Sequence, residues 1–185
     1  SSGGTSTLNA KGPVSVGAGF DGSFAATTWL CTLLIDGASA QSFTIPAGAV
    51  MPKTTLNQAS TTISTSGTGT VTWDALLTLQ AGELNGGTVD VDFNGSSVSL
   101  EISGGTYTAT SGITFIADDF IISSGTFTEG TGTVTFDSTA DGTLNVVTSE
   151  TFNNFTINKP AATADLLVAD NDTITVNGTL TLTDG

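Results

Sequence analysis

From about residue 61 onward, apolar and polar residues alternate in short runs. Val71-Thr72-Trp73, Val89-Asp90-Val91-Asp92-Phe93, Val98-Ser99-Leu100-Glu101-Ile102, Val134-Thr135-Phe136, Phe155-Thr156-Ile157, Ile174-Thr175-Val176 and Leu180-Thr181-Leu182 each send every second side chain to one face. A period of two predicts strands with one face in a core and the other in water. A Gly-Thr pair precedes an apolar residue at Gly69, Gly87, Gly105, Gly125, Gly132, Gly142 and Gly178, and the first three intervals are 18, 18 and 20 residues. Short alternating strands at such a period predict a solenoid, in which coils that cannot bury their inner face alone share one core. With coils about 4.8 Å apart, about six of them over residues 61–185 would stand roughly 30 Å tall. The expected fold is therefore all-β: a right-handed parallel β-solenoid with a short N-terminal extension. A two-sheet β-sandwich of similar short strands is the alternative.

Upstream the texture differs. Residues 1–12 are polar and read as an arm, either flexible or ordered by pairing with another subunit. Residues 13–60 read as an N-terminal capping β region. Within it the apolar run Trp29-Leu30-Cys31-Thr32-Leu33-Leu34-Ile35 fits a buried strand, with a capping helix as the alternative, because periodicity does not separate the two. Ser42-Phe43-Thr44-Ile45-Pro46-Ala47-Gly48 reads as a strand closing in a turn.

The stretch Gly125-Thr126-Phe127-Thr128-Glu129-Gly130-Thr131-Gly132-Thr133-Val134-Thr135-Phe136 resembles repeats of bacterial extracellular parallel β-helix proteins of the surface and adhesin kind. Thr151-Phe152-Asn153-Asn154-Phe155-Thr156-Ile157-Asn158-Lys159 and Val176-Asn177-Gly178-Thr179-Leu180-Thr181-Leu182 are similar to other segments of those repeats, as is Phe43-Thr44-Ile45-Pro46-Ala47-Gly48. The likeness covers about half of the chain. It implies a secreted or surface β-helix with an adhesive or structural role and carries no activity with it.

Composition agrees with strands. Thr, Val, Ile and Phe are abundant and 23 Gly punctuate them, whereas there are 3 Lys, no Arg, 4 Glu and 1 Met. The net charge of -14 repels phosphate, so nucleic acid and anionic membranes are not expected partners. No apolar run approaches the ~20 residues of a membrane-spanning helix, so no membrane insertion is expected. A start at Ser1 fits a chain whose signal peptide has been removed, and the low Lys content points to the extracellular space or the cell surface. The one cysteine, Cys31, allows no intrachain disulfide; it reads as a buried thiol or, alternatively, an intermolecular partner.

Chemistry is sparse. With no His and no Arg, a Ser-His-Asp site and a His-bearing zinc site are excluded. Asp118-Asp119 could be read as a glycosidase pair, but neighbours on a strand point to opposite faces, so no catalytic site is expected. Calcium is the one candidate ion, with Asp90 and Asp92 sharing a strand face and Asp170 and Asp172 as further oxygen ligands; a solvated acidic surface is the competing reading. Asn94, Asn154, Asn171 and Asn177 stand in glycosylation sequons. Trp29, Trp73 and Tyr107 are candidate sugar platforms or, for the latter two, members of the core.

A solenoid offers unpaired strand edges at both ends, and the run Leu180-Thr181-Leu182-Thr183-Asp184-Gly185 carries neither a cap nor a guarding Lys. The expected function is a structural extracellular protein whose partners are copies of itself, joined through strand edges into a filament or layer. Thr5, Thr7, Leu8, Leu180 and Leu182 are the expected contact residues. A glycan-binding adhesin module is the alternative.

Overall fold

The computed structural model describes residues 5–22, 30–161 and 163–184, so residues 1–4 of the expected arm, Trp29 and Gly185 lie outside the described residues. Every regular element among the described residues is a strand, and every pairing is parallel. The chain winds into a parallel β-solenoid of about eight coils. A sandwich would need antiparallel neighbours and is excluded.

Each coil has three sides. Side one runs β1 (Thr5–Ala10), β2 (Leu30–Ile35), β5 (Lys53–Ser66), β7 (Leu77–Asn85), β9 (Val98–Thr108), β11 (Asp119–Thr128), β13 (Gly142–Asn145) and β16 (Leu166–Val168). Side two starts at β3 (Ser42–Pro46), which pairs with the second half of β5, and continues through the second halves of β7, β9 and β11. In the last two coils β14 (Ser149–Phe152) and β17 (Thr173–Val176) form their own two-stranded sheet. Side three runs β4 (Val50–Met51), β6 (Thr70–Trp73), β8 (Asp90–Phe93), β10 (Ile113–Ile116), β12 (Thr133–Phe136), β15 (Asn154–Lys159) and β18 (Leu180–Asp184).

The winding begins earlier than expected. Thr5–Ala10 pair residue for residue with Leu30–Ile35 of the same chain, so this part of the arm is the side-one strand of the first coil. Residues 30–60 are likewise ordinary coil and not a separate cap: β2 and β3 both stack on β5. The Gly-Thr marker is missing there, but the alternation Leu33/Ile35 and Phe43/Ile45 is present, and it is the alternation that builds the coil. The helical alternative for the apolar run is corrected: Leu30–Ile35 is a strand.

Long strands pass from side one to side two through a bend. At the bend in β7, Gly82 has φ +82°, and a Cβ there would lie 2.6 Å from the Gln58 carbonyl oxygen and 2.7 Å from that of Thr61. Only glycine lets this backbone turn so close to the coil before it.

The inward positions register from coil to coil. On side three the file is Val71, Val91, Thr114, Val134, Phe155, Leu180. Within the core, rings follow one another from coil to coil: Trp73 to Phe93 at 5.4 Å between centroids, Phe93 to Tyr107 at 5.5 Å, Tyr107 to Phe127 at 5.9 Å and Phe127 to Phe152 at 5.1 Å, where Phe152 also meets Phe155 of its own coil at 4.9 Å. Such pairs add about 0.5–1.5 kcal/mol each beyond the area they bury.

Candidate functional site: open ends, acidic corners and outer faces

The alternation that fills the core also decides what the ends expose. In β18, Leu180 and Leu182 register with Phe155 and Ile157 of the coil above. Phe155 is 3% exposed, yet Leu180 is 53% and Leu182 69% exposed. On side one, Val168 registers with the fully buried Leu144 and is 46% exposed. At the other end Leu8 registers with buried Leu33 and is 62% exposed. These are core positions over which no coil lies among the described residues. Beside the last coil runs an open groove whose lining includes Ile157, Leu166 and Leu182. β16, β17 and β18 each end their sheets, so their outer edges have no strand partner among the described residues, and the same holds for β1 at the first coil.

Of the expected contact residues, Leu8, Leu180 and Leu182 thus stand on the two open ends. Thr5 and Thr7 lie on β1, with Thr7 exposed on the outer face.

Many acids occupy coil corners and accept hydrogen bonds from the backbone of a neighbouring coil. Asp90 Oδ1 accepts from the Ile113 N–H at 2.8 Å, Asp172 Oδ2 from Val146 at 2.7 Å, and Asp141 Oδ1 from Asp165 at 2.9 Å. The Asp118-Asp119 pair splits along the axis. Asp118 Oδ2 accepts from Ser97 of the coil before at 2.8 Å, and Asp119 Oδ1 from Thr143 of the coil after at 2.8 Å. The two carboxylates therefore hold different neighbours. Residues joined by such contacts lie 20 apart for Asn94 and Asp74 and 25 apart for Asn154 and Thr179, the span of one coil. These staples went unrecognised in the sequence, where the acids read as a solvated surface.

Among the described residues no group of three or more His, Cys, Asp or Glu side chains could hold a metal ion. Asp90 and Asp92 do share the outer face of β8, but Asp90 is committed to Ile113. Asp170 is exposed, and Asp172 is bound to Val146. Asp92 sits half-buried with Asp137 and Asp74 nearby. Desolvation first, then those two negative charges, push its carboxyl up to about 6.

The other candidates separate by exposure. Trp73 and Tyr107 are fully buried, so neither offers a sugar platform. Burial pushes the Tyr107 phenol well above its ordinary range. Cys31 is half-buried and carries no disulfide. Asn154 is held between coils, its Oδ1 accepting from Thr179 at 2.9 Å and its Nδ2 donating to the Gly132 carbonyl at 3.3 Å. Asn94, Asn171 and Asn177 are exposed. Asn171 adopts φ +68°, and Asn177 Nδ2 donates to Glu129 Oε1 at 3.2 Å.

The outer face of side two is built from hydroxyl residues in register. Ser42 and Thr44 stand beside Thr62 and Ser64, Thr106 and Thr108 beside Thr126 and Thr128, and Ser149 and Thr151 beside Thr173 and Thr175. Glu83 and Asn85 supply the interrupting rung.

In comparisons with known proteins, no family model, no curated protein and no solved structure matches this chain.

Proposed function

We propose that this chain is a structural building block that stacks head to tail with copies of itself, forming a filament or layer outside the cell. The observation that carries the reading is the exposure, among the described residues, of side chains in core register: Leu180, Leu182 and Val168 on the last coil and Leu8 on the first. The resemblance of the Gly125–Phe136 stretch to bacterial surface β-helix repeats supports the same role and place.

In such a contact the outer edge of β16 meets the outer edge of β1 of the next copy, and the parallel ladder of side one continues across the junction. Burial of Leu180, Leu182 and Val168 offers about 1.5–3 kcal/mol each. Association costs about 4–15 kcal/mol in lost freedom, so the main-chain ladder is needed as well and assembly depends on concentration. Because the two ends differ, the contact does not close on itself, and repetition yields a filament.

Negative-stain microscopy and light scattering of the purified chain test this. The expected result is filaments that lengthen with protein concentration and are lost in Leu182→Lys and in Leu8→Lys. Monodisperse monomers at every concentration, salt and calcium condition overturn the proposal.

A further inference from the structure

We propose that the outer face of side two binds the surface of ice. The face is a two-dimensional lattice of side chains, and its repeats come from the backbone. Neighbouring rungs are about 4.8 Å apart, and the two hydroxyl residues on one strand, separated by one inward residue, are about 6.6–6.8 Å apart. Thr106, Thr108, Thr126 and Thr128 are its clearest unit, two files wide and two rungs deep in strict register. The hydroxyl pairs on β3 with β5 and on β14 with β17 repeat the motif toward each end.

Three observations point to ordered water as the partner. The first is that the hydroxyls are free: among the described residues on this face only Thr108 finds a protein partner, the Glu83 carboxylate at 3.0 Å. The others present a donor and acceptor outward at fixed intervals. Second, the face is nearly without charge. The chain carries 17 acids, yet among the paired outward positions of side two Glu83 alone is ionisable. A neutral lattice fits a neutral partner and has little to offer a charged one.

The third is that the array is rigid. Threonine is β-branched, so its side chain keeps few rotamers. Beneath it the inward residues Phe43, Ile63, Leu84, Tyr107 and Phe127 are all buried, with Tyr107 and Phe127 in ring contact at 5.9 Å. Threonine methyl groups along the files exclude loose water, while the hydroxyls between them hold water in place. Water ordered at such a repeat on a flat sheet joins a growing crystal plane without rearrangement, which is preorganisation applied to a solid surface. A single chain suffices for this.

The test is to grow single ice crystals in a solution of the full chain and to measure the gap between melting and freezing. Faceted crystals, a freezing point held below the melting point, and slowed recrystallisation of fine-grained ice are expected. Thr126→Tyr and Thr128→Tyr, exposed positions where a larger side chain breaks the lattice without entering the core, should abolish all three. Thr72→Tyr, on the outer face of side three, should retain them. Circular dichroism melts establish that each variant is folded. Round crystals with no freezing gap for the parent chain overturn the proposal, as does equal loss in folded Thr72→Tyr. Retention on crystalline cellulose or chitin with no effect on ice also overturns it and assigns the face to a polysaccharide.

Discussion

The phenol oxygen of Tyr107 lies 2.8 Å from the hydroxyl oxygen of Thr114, and both groups are sealed inside the core. Tyr107 belongs to side two and Thr114 to side three of the same coil, so this bond ties two walls across the interior. Tyr107→Phe strands a buried hydroxyl and should cost about 1–3 kcal/mol. Adding Thr114→Val removes the stranded group, and the double variant should cost less than the sum of the two single ones. Urea unfolding of all four proteins gives the coupling energy, and simple additivity refutes the tie.

Gly82 should be among the least replaceable residues of the winding. Gly82→Ala combines a left-handed backbone with a Cβ 2.6 Å from the Gln58 carbonyl oxygen, and a loss of about 2 kcal/mol or more is expected. Gly48→Ala is the control. Its φ is +85°, but no atom lies within 4 Å of the added carbon, so only the backbone cost of about 1–2 kcal/mol remains. Thermal melts of the two variants should keep this order.

The coil was legible in the sequence wherever alternation was sustained, because the period of two alone decides which side chains face inward. Its exact length was harder to read, since the Gly-Thr pair does not hold one station on the coil. Gly69-Thr70 leads into β6 on side three, Gly105-Thr106 sits at the bend within β9, and Gly142-Thr143 opens β13 on side one. Intervals measured between such pairs drift, although the strands stay in register. The same cause hid the acidic staples. That Asp119 accepts from Thr143 becomes visible only when the coil length is known.

Lys159 should act as the anchor of the loop at residues 137–141. It is 4% exposed, and its Nζ donates to the Ala140 carbonyl at 2.8 Å and to Ser138 Oγ at 3.2 Å. Asp118, Asp119, Asp137 and Asp141 surround its charge. Lys159→Met keeps the buried stem but removes both bonds, and a loss of about 1.5–3 kcal/mol is expected. Limited proteolysis should then cut first within this loop. An unchanged urea midpoint would show that the loop holds without it.

Asp92 should make the fold more stable in mild acid. Its carboxyl is raised to about 6 by desolvation and by Asp137 and Asp74, against about 3.9 in an unfolded chain. Between those values the folded state binds more protons than the unfolded one, so the stability contributed here falls as pH rises from about 4 to about 6 and is level above that. Asp137 and Glu150, both raised by desolvation, act in the same direction, whereas Asp36, lowered chiefly by its bond to Lys11, acts in the opposite one. Asp92→Asn removes the penalty. After discounting for solvent screening at this half-exposed position, a gain of about 1 kcal/mol is expected at pH 7.5. Little or no gain is expected at pH 4. Urea unfolding at the two pH values decides it: an equal effect at both would mean that Asp92 is not the group that titrates.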